Sequence, residues 1–314
     1  MQAITLNEFG SPDVLTFQEV DDPLVGPDTV LVETRAAGAN PVDWKIRRGY
    51  LSGMIPHHTP LTPGWDVSGV VRAAGPAVTE FREGDEVLGY VREDHVQNGT
   101  YAELVSAPDR TVAHKPSGLD FATAAALPLA GLTALQLLNA IEVGPGDVVL
   151  VHGASGGVGH LAVQIARELG ASRVIGTASE RNHEFLRELG AEPVSYGSGQ
   201  VERIAELAGP DGLVDAAVDV IGGQTLLDTP KLVRQVWRHS SVADEPNTVL
   251  GQGGQYVFVR PNATQLAWLA DHAAAGRLRV EVQRTFPLSE AAEAHRLLED
   301  GHVRGKLVLT TTQQ

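Results

Sequence analysis

The stretch GDVVLVHGASGGVGHLAVQIARELG, residues 146–170, restricts the possible folds of this chain more than any other segment. Residues 147–151 form a short apolar run of β-branched type, the pattern of a strand buried on both faces. Four glycines follow at once: Gly153, Gly156, Gly157 and Gly159. Val158, Leu161, Ala162, Ile165 and Leu169 then recur at helical spacing until Gly170 stops the run. A buried strand, a glycine-rich turn and an amphipathic helix make up half of a dinucleotide-binding unit.

The chemistry of such a turn is specific. A pyrophosphate carries two charges and seeks backbone N–H donors, and a helix N-terminus offers several unpaired ones with a favourable dipole. Side chains on the turn would hold the phosphates away, so small residues are needed where the backbone approaches them. One rival reading shares the position. Gly153-Ala154-Ser155-Gly156-Gly157 also fits the G-x-S-x-G elbow that presents a nucleophilic serine, with Asp219 and His295 available as partners. That reading leaves Gly159 unexplained and does not predict the strand that follows.

A chain of 314 residues suits two domains. No apolar run is long enough to span a bilayer, and MQAITLNEFG is not a secretory leader, so a cytoplasmic protein is expected. Without cysteine there is neither a disulfide framework nor a thiolate metal site. Lys and Arg number 24 against 39 Asp and Glu, a net charge of −15 that repels nucleic acid and anionic lipid surfaces.

The first 120 residues read as β-rich, with short strands in MQAITL, LTFQEV and TVLVETRAAG and others at 66–74, 85–90 and 100–105. From Phe121 the pattern changes to an Ala/Leu-rich helix over 122–141, interrupted at Pro128 and Gly131. Strands and helices then alternate through RVIGTAS, NHEFLRELG, EPVSY, VERIAELAG and LVDAAVDV, which predicts a doubly wound parallel sheet. RHSSVA and QYVFVR are later strands. A helix at 263–276, RVEVQRTF, a final helix and KLVLTT complete the chain, whose end is expected to rejoin the first module.

Several motifs in order resemble one family: AAGANPVDWKIRRG, PGWDVSGVV, GDEVLG, LPLAGLTAL, VLVHGASGGVGHLAVQIARELGA, VIGTAS and GKLVLT. The chain resembles the medium-chain dehydrogenase/reductases over its whole length, specifically their zinc-free, quinone-oxidoreductase-like branch. The resemblance implies an α/β fold with a GroES-like β-rich catalytic domain (1–120 and 277–314, split in sequence) around a Rossmann domain (121–276). The zinc-dependent members have a metal-binding Cys where this chain has Asn40, and a His-Glu pair where it has Trp65-Asp66. Neither replacement suits catalytic zinc, so no metal is expected.

The cofactor follows from the second strand of the nucleotide unit. NAD-binding folds carry a carboxylate at its end, where this chain has Ser179, with Arg181 just beyond and Glu180 between them free to turn its side chain to solvent. A hydroxyl and a guanidinium suit a 2′-phosphate, so NADPH is expected, held by Gly153, Ser155, Gly156, Gly157, Val158, Gly159, Ser179 and Arg181. The resemblance adds Thr133 beside the nicotinamide and Lys306 at the phosphates. Read alone, these are a helix-interior threonine and a lysine leading a last strand.

On the substrate side, Asn40 is an amide donor where the family's zinc ligand would sit, and Lys45 and Tyr50 follow as hydrogen-bond or proton donors. Asp43 is expected to orient this loop. The edge strand QYVFVR, residues 255–260, is expected to pair with its twin in a homodimer, as in similar family members. The expected activity is zinc-independent hydride transfer to a quinone or an α,β-unsaturated carbonyl. The alternatives are an idle, crystallin-like NADPH-binding protein and a serine hydrolase using Ser155.

Overall fold

The computed structural model describes residues 1–311, and the chain divides into two compact units. One unit holds 133–259 with 277–279, and the other holds 1–132, 260–276 and the described residues from Val280 onward.

The first of these contains six parallel strands: Val148–Val151, Arg173–Ala178, Glu192–Ser195, Ala216–Asp219, His239–Ser241 and Gln255–Tyr256. Counted along the chain, they lie across the sheet in the order 3-2-1-4-5-6. Winding therefore reverses beside Val148–Val151, and ligands of open α/β sheets bind at the carboxyl ends of strands at such a reversal. The sheet is buried on both faces: Leu150, Ile175 and Ala217 pack with Ile204 and Leu232, while Val149, Val151 and Val218 are equally enclosed. Such double burial explains why the strands read as continuous apolar runs.

The β-rich unit is organised on an eleven-residue strand, Thr29–Ala39. The sheet order is Val282–Pro287, Lys306–Thr310, Thr29–Ala39, Asp66–Ala74, Glu86–Tyr90 and Val112–His114, with Leu104–Pro108 also paired to the long strand. The first seven residues of Thr29–Ala39 alternate between half-buried and buried, but its last four are all buried. Those four are Ala36, Ala37, Gly38 and Ala39, small enough for the helix Phe121–Ala126 to lie directly over the sheet. The last strand, Lys306–Thr310, runs antiparallel to Thr29–Ala39 and brings the end of the chain into this unit.

Four expectations differ from what is observed. The units part at 132/133 and 259/260 rather than at 120/121 and 276/277: Phe121–Ala126 packs on Ala36 and Val308, and Gly118 lies against Ala274 of the helix Ala263–Ala274. Residues 100–103 are not a ladder strand, because their backbone bonds go to separate partners, Thr100 to Gly64, Tyr101 to Pro63 and Glu103 to Gln2. Gly131 does not interrupt the helix Pro128–Ala140; a Cβ there would lie 3.0 Å from Leu269, so glycine serves close packing instead. The strand expected over 255–260 covers only Gln255–Tyr256, because its neighbour His239–Ser241 is three residues long and offers nothing further to pair with. Among the described residues, no helix is long and apolar enough to cross a membrane.

A Cβ at Gly38 would sit 2.3 Å from the Ala125 carbonyl oxygen, a contact only backbone movement can relieve. Gly38→Ala is therefore expected to destabilise the chain by about 2–3 kcal/mol in urea denaturation. An unchanged midpoint would show that the Phe121–Ala126 helix is free to lift from the sheet.

Candidate functional site

The turn after Val148–Val151 is built from glycines doing different things. Gly153 has φ +68°, and a Cβ there would lie 2.7 Å from the Ile221 side chain. At Gly159 the added carbon would lie 2.2 Å from the Gly153 carbonyl oxygen and 2.7 Å from the Ala154 Cα. Gly159 thus lets the turn close on itself and Gly153 lets it lie against Ile221, whereas a Cβ on Gly156 would meet only the Gly153 carbonyl, at 3.4 Å. The turn is tied to the neighbouring strand by Gly153 N–H donating to Thr177 Oγ1 (3.1 Å) and Ala154 N–H to the Thr177 carbonyl (2.9 Å). Gly156, Gly157 and Val158, all half-buried, lead straight into the ten-residue helix Gly159–Glu168, where His160 N–H already donates to the Gly156 carbonyl (3.1 Å), while the N–H groups of 157–159 come before any helical carbonyl. Small residues, open donors and a helix dipole together fit a pyrophosphate.

Beside this turn, Arg173–Ala178 ends in Ser179, with exposed Arg181 in the following 3-10 turn Glu180–Asn182. Asn182 lies between the two serines, its Nδ2 3.1 Å from Ser155 Oγ and 3.3 Å from Ser179 Oγ. Thr133 is buried within the helix Pro128–Ala140. His152 is buried beneath the turn, 3.4 Å from Thr177 Oγ1, and burial pushes its ring down to about 4.

The β-rich unit holds a buried polar network at the end of Thr29–Ala39. Asn40, 2% exposed, opens the helix Pro41–Arg47, and its backbone N–H donates to Asp43 Oδ2 (2.8 Å). The Asn40 Nδ2 donates to Asp66 Oδ2 (2.9 Å), while its Oδ1 accepts from Lys306 Nζ. Lys306, 3% exposed, also donates to the Ala39 carbonyl (3.0 Å), and its ammonium lies 3.7 Å from Asp66 Oδ2 as an enclosed ion pair. Asp66 Oδ1 accepts from Leu129 N–H, at the start of Pro128–Ala140 (2.8 Å). From Asp43 the network runs on: Tyr101 Oη donates to Asp43 (2.9 Å), and His295 Nε2 is 3.4 Å from that hydroxyl. Arg47 Nε donates to His295 Nδ1 (3.2 Å), which leaves the ring proton on Nε2. Burial pushes the Asp43 carboxyl up to about 7 and Asp66 up to about 6, against the donors and the ammonium that favour their ionised forms. It lowers His295 to about 3, so that ring is neutral.

Residues 26–117 match the family model of the alcohol dehydrogenase GroES-like domain, and 169–309 match that of the zinc-binding dehydrogenases. The chain is 35% identical to the chloroplastic NADPH-dependent alkenal/one oxidoreductase of Arabidopsis thaliana, over 98% of this chain and 79% of that one. The quinone oxidoreductase of Coxiella burnetii superposes with TM-score 0.88 at 38% identity, over 99% of both chains. The Escherichia coli quinone oxidoreductase complexed with NADPH gives TM-score 0.84 at 27% identity, over 99% of this chain and all of that one. The chain is a medium-chain dehydrogenase/reductase of the quinone-oxidoreductase-like branch.

Within this medium-chain reductase, the residues expected at the nucleotide fall into place unevenly. Gly153, Ser155, Gly156, Gly157, Val158, Gly159, Ser179 and Arg181 all lie in the parallel-sheet unit, on the turn and on the segment following the second strand. Lys306 is instead enclosed in the β-rich unit, with its ammonium taken by Ala39, Asn40 and Asp66 rather than offered to phosphates. Asn40, expected as an open donor, has both ends of its amide engaged. Lys45 and Tyr50 are exposed, Tyr50 to 70%, with the tyrosine edge-on to Trp44 and the lysine over the indole. The hydrolase reading fails: His295 is committed to Arg47 and Tyr101, and Asp219 accepts from Ile221 N–H, Gly222 N–H and Ser241 Oγ. Sequence reasoning named Asp43 as a loop-orienting residue but missed Asn182 and the file that runs from Asp43 through Tyr101 and His295 to Arg47. Asn182 precedes a helical pattern, so the cap it resembles conceals its other partners.

A carboxyl whose pKa rises on folding binds more protons in the folded chain, so its contribution to stability falls as pH rises. Asp43 acts this way between about 4 and about 7. His152 and His295 act oppositely between their lowered values and the usual 6.5. Replacing Asp43 by Asn keeps an acceptor for Tyr101 and removes one titration. The stability of Asp43→Asn relative to wild type is therefore expected to increase by on the order of 2 kcal/mol from pH 4 to 7 in urea denaturation. A difference that does not vary with pH would show that Asp43 does not titrate in this range.

Proposed function

We propose that this protein is an NADPH-dependent, zinc-independent reductase of quinones or α,β-unsaturated carbonyls. The observation that carries the reading is the nucleotide turn beside a second strand that ends at Ala178 and leads into Ser179, Glu180 and Arg181, so that a hydroxyl and a guanidinium flank the one carboxylate there. The backbone N–H groups of 157–159 suit the pyrophosphate, and the Ser179 hydroxyl with the Arg181 guanidinium suits a 2′-phosphate. Names among the relatives support it, since they include NADPH-dependent and quinone-reducing enzymes.

When bound, NADPH supplies the hydride. The chain must hold the acceptor, exclude side reactions and meet the charge that develops on its oxygen. Asn40 is closed by Lys306 and Asp66, so Lys45 and Tyr50 are the donors of that stretch which face outward. Zinc independence rests on the chemistry of the residues present: there is no cysteine, and an ammonium already lies among Asn40 and Asp66. Gln255–Tyr256 is the last strand of the parallel sheet, and its pairing with the same strand of a second copy is the expected dimer contact.

Titration with NADPH and NADH, followed by oxidation assays with an ortho-quinone and a simple enone, tests this reading. Arg181→Ala is expected to weaken NADPH binding about tenfold and to leave NADH nearly unchanged, the loss of one charge-assisted contact. Binding without turnover on either acceptor would favour an idle nucleotide-binding protein. Failure to bind either nucleotide would overturn the proposal.

A further inference from the structure

Asn182 stands where a helix cap is expected, directly before His183–Glu188, yet its side chain makes no cap bond to that helix. Its Nδ2 points instead at two serine oxygens on different segments, Ser155 of the glycine turn and Ser179 at the end of the second strand. An amide nitrogen has two hydrogens, and here each has one hydroxyl oxygen within reach. Asn182 is buried, whereas both serines are half-buried.

A hydroxyl has a single hydrogen, and its direction depends on what the oxygen accepts. An oxygen already accepting from Asn182 turns its own hydrogen elsewhere. Two such hydroxyls, on either side of one amide, become donors at once. The geometry points to Asn182 as a positioning residue for cofactor choice: its amide fixes Ser155 and Ser179 as outward hydrogen-bond donors, and so selects a phosphorylated nucleotide over an unphosphorylated one. The inference rests on the proposed NADPH use and adds the device behind it. Arg181 supplies charge that attracts any anion, while the oriented hydroxyls supply direction.

The isosteric variant Asn182→Asp reverses the device. A carboxylate in that place accepts from both hydroxyls, turning their hydrogens inward, and adds a negative charge beside the phosphate positions. Fluorescence titration of the purified protein with NADPH and with NADH reads the result, with thermal unfolding as the check on folding. Asn182→Asp is expected to raise the NADPH dissociation constant at least about tenfold and that for NADH by less than about threefold. Asn182→Ala, which frees the hydroxyls to rotate without adding charge, is expected to lie between wild type and Asn182→Asp, and it serves as the test if the aspartate variant does not fold. A wild-type ratio of NADPH to NADH affinity in Asn182→Asp, or in Asn182→Ala where only that variant folds, would overturn the inference while leaving the proposed function standing. Wild-type protein that binds neither nucleotide would overturn both.

Discussion

At the head of the parallel sheet the chain passes so close to itself that one added carbon does not fit: a Cβ on Gly159 would lie 2.2 Å from the Gly153 carbonyl oxygen. The same crowding recurs one strand away, where a Cβ on Gly176 would lie 2.8 Å from the Ala154 methyl group. These close approaches let the helix Gly159–Glu168 start immediately after the turn and bring Ala154 N–H within 2.9 Å of the Thr177 carbonyl. The positions of the helix dipole, the open N–H groups and the Ser155 hydroxyl all follow from that contact. A nucleotide site of this kind is set by backbone geometry, which explains why it needs so few particular side chains.

The β-rich unit is organised by charge in an enclosed place. Burying an ion is costly unless its hydrogen-bonding capacity is met, and the partners here come largely from distant parts of the chain, while Asp43 takes its donors on Oδ2 alone. Lys306 finds Asn40 across 266 residues, and Asp66 finds Leu129 across 63. Arg47 joins the helix Pro41–Arg47 to Gly10, His295 and Glu299. Such a network adds little net stability compared with an apolar core, but it permits few alternative arrangements. The end of Thr29–Ala39 and the helix after it are therefore held in one register, and the outward direction of Lys45 and Tyr50 is fixed with them.

The sequence made the local part of this legible. Apolar periodicity and glycine placement mark the nucleotide unit, because strand, turn and helix are neighbours in the chain, and Ser179 and Arg181 are readable for the same reason. The network was not readable, since nothing local to Asn40 announces that Lys306 will close it. Residues 100–103 show the limit from the other side: their β-branched and aromatic composition is strand-like, but Gly64, Pro63 and Gln2 each take one bond and no ladder forms. Asn182 was hidden by an ordinary role, because an asparagine before a helix is usually explained by capping.

The enclosed ammonium also bears on chemistry. A metal with an open coordination position can polarise a carbonyl that is not yet reactive. Lys306 holds a positive charge among Asn40 and Asp66, but its ammonium donates to the Ala39 carbonyl and to Asn40, pairs with Asp66 and is enclosed at 3% exposure. An ordinary alcohol or unconjugated ketone would gain nothing from such a charge. An acceptor already made electrophilic by conjugation, a quinone or an enone, requires only positioning and a donor for the oxygen as charge develops there. Under the proposed reading, the contacts that fix Asn40 in place also leave such acceptors as the suited substrate class.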